Sequence, residues 1–148
     1  MEHLEGILDN IVLWSAVTAW AVAQLLKVII ELLRVKRLKP GLMFSTGGMP
    51  SSHSSFMASL ATSVGLNVGF DSVIFAVAAA ISLVVMSDAA GVRRAAGKQA
   101  KVINVLVENI ENTGIVLDKK LKELLGHTPV EVACGAILGI LVAILLYN

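Results

Sequence analysis

Long stretches without a charged residue constrain the fold of this chain more than any other feature. Four windows contain no Asp, Glu, Lys or Arg: residues 10–26, 40–70, 72–87 and 132–148. A helix that crosses the hydrocarbon core of a bilayer needs about 20 apolar residues, whereas a helix of a soluble bundle carries a polar face. Because three of the helices predicted from these windows have no charged face, we expect an all-α integral membrane bundle.

The composition supports this class and limits the alternatives. Of the 148 residues, 56% are hydrophobic and 16% are charged, whereas soluble domains are about 45–50% apolar and about 25% charged. A chain of this length has room for a single domain, residues 1–148. Its net charge of +1 predicts no general attraction for nucleic acid. The one cysteine, Cys134, rules out an internal disulfide and a cysteine-based zinc site.

We predict four transmembrane helices, with amphipathic helices on the cytoplasmic side. The spans lie within residues 10–33, 54–68, 72–87 and 132–148, and a tight turn near residues 67–71 joins the second span to the third. Lys27 lies inside the first span, where its long side chain would snorkel or face a neighbouring helix. Helical spacing of apolar residues within 98–110 and 117–125 predicts amphipathic helices lying against the membrane or the bundle.

The positions of the basic residues predict the orientation. Of the twelve Lys and Arg residues, four lie in residues 34–39 and seven in residues 93–122. With four spans, both basic segments fall on one side, which the positive-inside bias makes cytoplasmic. We therefore expect both termini outside and residues 88–131 inside the cell, in what would be a bacterial plasma membrane.

Three polar clusters stand out, and the first is residues 47–55. Pro50 suits a helix start, and Ser51 or Ser52 can cap its free N–H groups, which attract phosphate. His53 would lie in the first helical turn at the membrane edge. The alternative is a capped helix start with a solvated histidine.

The second cluster, residues 87–101, is basic. Arg93 and Arg94 either bind anionic lipid head groups non-specifically or clamp a specific phosphate through their planar guanidinium groups. Asp88, which ends the third span, would hold one arginine in place.

The third cluster, residues 122–132, contains His127 at the start of the last span and Glu131 four residues later. At this spacing a carboxylate accepts the imidazole N–H and fixes the tautomer, as the base and orienting group of a nucleophilic site do. The alternative is a boundary histidine beside a snorkelling glutamate. In the predicted topology all three clusters meet at the cytoplasmic helix ends, where they suggest a phosphoryl-transfer site.

At these clusters the sequence resembles the divergent branch of the type-2 phosphatidic acid phosphatase superfamily, which is related to acid phosphatases and vanadium-dependent haloperoxidases. The resemblance covers nearly the whole chain. Residues 50–53, Pro-Ser-Ser-His, are similar to the superfamily motif Pro-Ser-Gly-His, with Ser52 at the glycine position. His127 and Glu131 are similar to the end of the motif Ser-Arg-x5-His-x3-Asp, with glutamate for aspartate.

The sequence departs from the superfamily motifs at two cationic positions. Leu121 stands where the third motif has its arginine, and Lys122 is the nearest cation. Residues 39–40, Lys-Pro, resemble the Arg-Pro of the motif Lys-x6-Arg-Pro, but Leu32 stands where that motif has its lysine.

The resemblance implies a membrane phosphatase that acts on a lipid phosphate or diphosphate. His127 would be the nucleophile that forms a phosphohistidine, Glu131 would orient it, and His53 would protonate the leaving group. No cofactor and no metal would be needed. The phosphate oxygens would be held by Ser51, the amide of Ser52, and some of Arg37, Lys39, Arg93, Arg94 and Lys122.

Two other functions are consistent with the sequence. A non-catalytic membrane protein that keeps the fold would bind anionic lipid head groups, and a small transporter component would line a pathway. Gly135 and Gly139 form a G-x3-G step, which lets helices approach closely either within one chain or between two. Because four spans are few to enclose a lipid site, we expect a homodimer.

Overall fold

All the regular elements in the described part of the chain are α-helices. The structure is a computed structural model, and it describes residues 6–35, 48–111 and 126–148. The predicted helix within 117–125 lies outside these residues. The helices in chain order are α1 (Ile11–Val35), α2 (Ser52–Val68), α3 (Val73–Ala90), α4 (Val92–Glu111) and α5 (Pro129–Tyr147).

Three stretches of the described chain are long and apolar enough to cross a membrane. They are Ile11–Leu33, Pro129–Tyr147 and the 37-residue stretch Val73–Asn109, which joins α3 to α4. Helix α2 has 17 residues, which gives it a length of about 26 Å against a hydrocarbon core of about 30 Å. The predicted all-α membrane bundle is therefore confirmed, and α2 as a fourth span stays a prediction.

The serine-rich helix α2 lies at the centre of the bundle. It packs against α1, α3 and α5, so the most polar of the predicted spans has the most protein around it. Small residues permit this arrangement because they let neighbouring backbones approach closely. Its buried residues are Ser52, Ser54, Ser55, Met57, Ala58, Ser59, Ala61, Ser63 and Gly65.

Hydroxyl groups join the neighbouring helices to α2 through backbone carbonyls. Ser55 Oγ on α2 donates a hydrogen bond to Ala19 O on α1 at 3.0 Å. Ser82 Oγ on α3 lies within hydrogen-bond distance of two carbonyls, Met57 O on α2 at 2.9 Å and Ala78 O of its own helix at 2.8 Å. A hydroxyl without a partner is costly in an apolar interior, so these bonds satisfy each serine and fix the register of its helix.

Helix α5 approaches α2 through its two buried glycines. A Cβ added to Gly135 would collide with Ser51 O, and one added to Gly139 would collide with Ser55 O. The G-x3-G step is therefore used within the chain and is not available for a second copy. This removes the glycines as a reason to expect a homodimer, which stays a prediction without that support.

The connection between α2 and α3 is short, as the sequence predicts. Helix α2 ends at Val68, Gly69 adopts a positive φ of 95°, and the Ser72 side chain caps α3 by accepting a hydrogen bond from Phe75 N. A positive φ is easily reached only by glycine, so the Gly69 residue permits the tight reversal.

The amphipathic helix predicted within residues 98–110 is confirmed as part of the longer α4. This helix begins immediately after Gly91 and contacts α3 in the described bundle. Its apolar residues Val102, Val105 and Leu106 are exposed. Helix α4 therefore extends from the bundle with its apolar stripe unburied by the described helices.

We expect Gly139→Leu to destabilise the protein without changing its oligomeric size. The added side chain collides with the backbone of α2, and overpacking of this kind costs about 1–3 kcal/mol. The free energy of unfolding in detergent and the mass by light scattering measure the two effects. Ala133→Leu is the matched control, because Ala133 is an exposed residue of α5. A smaller oligomer with unchanged monomer stability would contradict packing within the chain.

We expect opposite accessibility for cysteines placed at Lys101 and Asn148. In a Cys134→Ser background, a membrane-impermeant maleimide should label Asn148→Cys in intact cells and Lys101→Cys only after permeabilisation. The reason is that eleven of the twelve basic residues lie in the two segments predicted to be cytoplasmic. Both replaced residues are exposed, so burial does not account for a difference. Labelling of Lys101→Cys alone in intact cells would reverse the orientation.

Candidate functional site

His127 is held where the chain enters α5. Its backbone N–H donates to Ala89 O, near the end of α3, at 3.0 Å. The preceding Gly126 lies against the backbone of Arg93 and Arg94, and a Cβ at this position would collide with Arg94 N. The glycine therefore permits the chain before α5 to dock on the junction between α3 and α4, which places His127 at the bundle's polar end.

Glu131 fixes the orientation and tautomer of the His127 ring. Glu131 Oε2 lies 3.1 Å from His127 Nδ1. An ionised carboxylate only accepts hydrogen bonds, so Nδ1 carries the hydrogen and Nε2 carries the lone pair. The predicted spacing of four residues thus produces the contact that the sequence analysis anticipated.

The same glutamate caps helix α5 and ties it to α2. Its Oε2 also accepts from Thr128 N at 3.0 Å, and Thr128 Oγ1 accepts from Glu131 N at 3.3 Å, which completes a capping box. The backbone carbonyl of Glu131 accepts from Ser51 N at 3.0 Å. One residue therefore connects the His127 ring, the start of α5 and the start of α2.

The two histidines of the site face each other across the starts of α2 and α5. The ring centroids of His53 and His127 are 6.3 Å apart, with the planes inclined at 63°. His127 is 1% exposed, and its Nε2 has no hydrogen-bond partner among the described residues. A buried polar atom without a partner is uncommon and calls for an explanation. Here it leaves a basic lone pair beside a second imidazole.

Ser51 and Ser52 occupy the N-terminal turn of α2. Ser51 is the N-cap, and its Oγ accepts from Ser54 N at 3.4 Å and from Ser54 Oγ at 3.0 Å. The predicted cap is thus Ser51, and its own hydroxyl hydrogen is the donor that the cap does not use. Ser52 is buried in the first turn, where helical N–H groups have no partner within the helix.

Asp88 and Arg93 form an ion pair beside the histidines. Arg93 Nε lies 2.8 Å from Asp88 Oδ2, and both side chains are partly exposed. The charge of Arg93 acts on both His53 and His127. Arg94 is exposed and contributes backbone to the contact with Gly126. The structure therefore brings Arg93 to the histidines, held by Asp88.

Lys27 also lies close to the two histidines, a position that the sequence did not predict. It is 2% exposed, and its charge acts on Glu131, His53 and His127. The stem of the side chain packs against Gly48, where a Cβ would lie 3.3 Å from Lys27 Cγ. A sequence signal for this position exists. The small residues Ser15, Ala19 and Ala23 precede Lys27 at steps of four, and all four are buried.

The remaining predicted phosphate ligands, Arg37, Lys39 and Lys122, lie outside the described residues. Within residues 6–35, 48–111 and 126–148, no group of three or more His, Cys, Asp and Glu side chains is arranged to hold a metal ion.

Burial sets the charge state of His127. The apolar surroundings lower the pKa of His127 below the ordinary value of 6.5, and the charges of Lys27 and Arg93 act in the same direction. The hydrogen bond and the charge of Glu131 oppose this change. The imidazole is therefore neutral at pH 7, which is the state in which Nε2 has a lone pair.

The fold and the site together define a small all-α membrane protein with a paired-histidine centre. Residues 8–142 match the model of a family described as the divergent PAP2 family. The chain therefore belongs to the divergent PAP2 family, as its motifs indicate. It is also 44% identical to the "Uncharacterized membrane protein YuiD" of Bacillus subtilis (strain 168), over 95% of this chain and 96% of that protein. No solved structure matches the chain.

We expect the pKa of His127 to lie below its ordinary value of 6.5 and to be lower still in Glu131→Gln. The carboxylate favours the protonated ring, so its loss lowers the pKa, and the neutral form persists to lower pH. Nitrogen NMR of the labelled imidazole in detergent measures both the pKa and the tautomer. Asp71→Asn, in the turn at the far end of α2, should leave the titration unchanged. A His127 pKa above 6.5 in the unaltered protein would contradict the burial argument.

Proposed function

We propose that this protein is a membrane phosphatase that hydrolyses a lipid phosphate or diphosphate through a phosphohistidine on His127. The observation that carries the proposal is the asymmetric use of the His127 ring. Glu131 holds Nδ1, whereas Nε2 is buried and has no partner among the described residues. The His53 ring lies 6.3 Å from the His127 ring between centroids. Membership of the divergent PAP2 family supports the same chemistry.

In the first step, the Nε2 lone pair of His127 attacks phosphorus and the bond to the alkoxide leaving group breaks. The ring becomes cationic, and the Glu131 carboxylate on Nδ1 stabilises this charge. The negative charge of the bound phosphate favours the protonated form of His53, which gives its proton to the departing oxygen that would otherwise leave as a strongly basic alkoxide. The products of this step are a free alcohol and a phosphohistidine.

In the second step, water attacks the phosphohistidine and the phosphorus–nitrogen bond breaks. His53, now neutral, accepts a proton from the attacking water and returns to its starting state. His127 regains its lone pair, and inorganic phosphate is released. The centroid separation of 6.3 Å keeps His53 within reach of a phosphoryl group carried by His127.

The charge of the phosphate would be balanced by buried and partly exposed groups of the chain. Lys27 supplies a cation on α1, and Arg93 supplies one held by Asp88. The first N–H groups of α2, including that of Ser52, favour an anion at the helix N-terminus. Groups fixed in a site of low polarity stabilise a charged transition state more strongly than they would in water.

The membrane fold supports the proposed substrate and cellular location. A site at the ends of membrane helices meets phosphate groups carried by lipids at the bilayer surface. The positive-inside distribution would place this site at the cytoplasmic leaflet of a bacterial plasma membrane, with both termini outside. Soluble phosphoesters of small size would reach the same histidines.

The second candidate is a non-catalytic protein that binds anionic head groups. Its support is that Leu32 and Leu121 stand where the superfamily motifs have a lysine and an arginine, so two cations of that phosphate clamp are missing. This candidate predicts binding of lipid phosphates with no release of inorganic phosphate.

We expect His127→Ala to abolish phosphoenzyme formation and turnover together, since no other group replaces the nucleophile. His53→Ala should lose about 100- to 10,000-fold on a lipid phosphate, which is the usual value of general acid–base assistance. It should lose much less on an aryl phosphate, whose leaving group departs without a proton. Phosphate release and acid-labile phosphoenzyme from purified protein are the measurements.

The controls separate this mechanism from its competitors. His3→Ala, which replaces the one histidine outside the proposed site, should retain activity. Glu131→Gln should lose less activity than His127→Ala. Vanadate should inhibit the unaltered protein, and chelators should not. Phosphate release by His127→Ala at the unaltered rate would refute the nucleophile. A full requirement for added divalent metal would favour a metal-assisted mechanism involving Asp88 and the histidines.

A further inference from the structure

One face of the central helix α2 is only partly covered by the other described helices. Helices α1 and α3 both pack on α2, but they make no sustained contact with each other within the described residues. On one side of α2, Ser55 Oγ donates a hydrogen bond to Ala19 O of α1, and on the other side Met57 O accepts one from Ser82 Oγ of α3. Helix α5 covers the side that carries the backbone of Ser51.

The partly covered face forms a continuous stripe that begins at the proposed acid. His53, Phe56, Leu60 and Val64 recur at steps of three and four, which places them on one side of a helix. All four are partly exposed, whereas the residues between them are mostly buried. We call this stripe, bounded by α1 and α3, the α2 cleft. From His53 to Val64 it extends about 16 Å, which is about half of the 30 Å hydrocarbon core.

The polar end of the α2 cleft is charged on both of its sides. Lys27 on α1, Asp88 on α3 and Arg93 immediately after α3 all act electrostatically on His53. Beyond His53 the floor of the cleft is apolar. A molecule that matches this order has an anionic group at one end and a hydrocarbon chain that continues into one leaflet.

We propose that the α2 cleft holds the hydrocarbon chain of the lipid phosphate substrate while its phosphate lies between His53 and His127. This inference rests on the proposed function and adds the position and direction of the lipid's hydrocarbon chain. Lipid tails are as apolar as these side chains, so moving a chain from the bilayer to the cleft gains little affinity. Its effect is to align the phosphate with His127 Nε2, because misplacement of a reacting group by about 1 Å can cost about 100-fold in rate.

Leu60→Trp tests the cleft by filling its middle. On a long-chain lipid phosphate, kcat/KM should fall by about 10- to 100-fold, the range expected for a misplaced reacting group. On a small aryl phosphate, which has no chain to place, the variant should match the unaltered protein. The matched control is Val84→Trp, since Val84 is 69% exposed and lies two positions from Ser82, on another side of α3. An equal loss on both substrates, or no loss on either, would overturn the proposal.

A second measurement does not depend on turnover. In His127→Ala, which should not hydrolyse the probe, a long-chain lipid phosphate with a photoreactive chain should label residues 56–64, and the corresponding neutral alcohol should label them less. Equal labelling by the two probes would show ordinary bilayer contact and overturn the proposal. If the unaltered protein hydrolyses neither substrate, the proposed function fails. Phosphate-dependent labelling then decides by itself whether the α2 cleft binds the hydrocarbon chain.

The remaining alternative is that a second copy of the chain fills the cleft. In a Cys134→Ser background, oxidative crosslinking of Leu60→Cys between two copies, unaffected by the lipid phosphate, would show that occupant and overturn the proposal. Absence of this crosslink, together with phosphate-dependent labelling, would support the lipid chain.

Discussion

The close approach of the α2 and α5 backbones is the constraint on which the site depends. Gly135 and Gly139 bring α5 against the carbonyls of Ser51 and Ser55. This proximity lets Ser51 N reach the backbone of Glu131, so the starts of the two helices are fixed relative to each other. Because each helix start carries one histidine, the distance between the two rings follows from a packing contact that contains no catalytic atom.

Inside a membrane this contact cannot be driven by the hydrophobic effect, since lipid tails are as apolar as the helix surfaces. Close packing and hydrogen bonds between helices take its place. The chain uses both, with glycines on α5 and serine hydroxyls at Ser55 and Ser82 that bond to neighbouring carbonyls. Polar side chains in the predicted second span are therefore part of the packing as well as of the site.

The sequence predicted those features that depend on local rules. Charge-free windows predict membrane helices because hydrocarbon excludes charge whatever the tertiary structure. The Glu131 contact follows from helical spacing, and the Ser51 cap follows from its position before α2. The place of Lys27 beside the histidines was not predicted, because α1 is apolar on most of its surface and its hydropathy does not show which side faces the bundle. The helix that packs on Gly135 and Gly139 was not predictable either, since small residues indicate a close approach but do not identify the approaching helix.

The capping box at the start of α5 has a consequence for how such a site would change over generations. Thr128 and Glu131 cap the helix whether or not any reaction occurs, so selection for folding alone would retain the carboxylate that orients His127. A descendant that lost its chemistry would still preserve that motif as a structural relic. His127 Nε2 is different, because no described contact of the fold uses it. Replacements that keep Nδ1 as a donor but remove the Nε2 lone pair would distinguish a retained activity from inherited architecture.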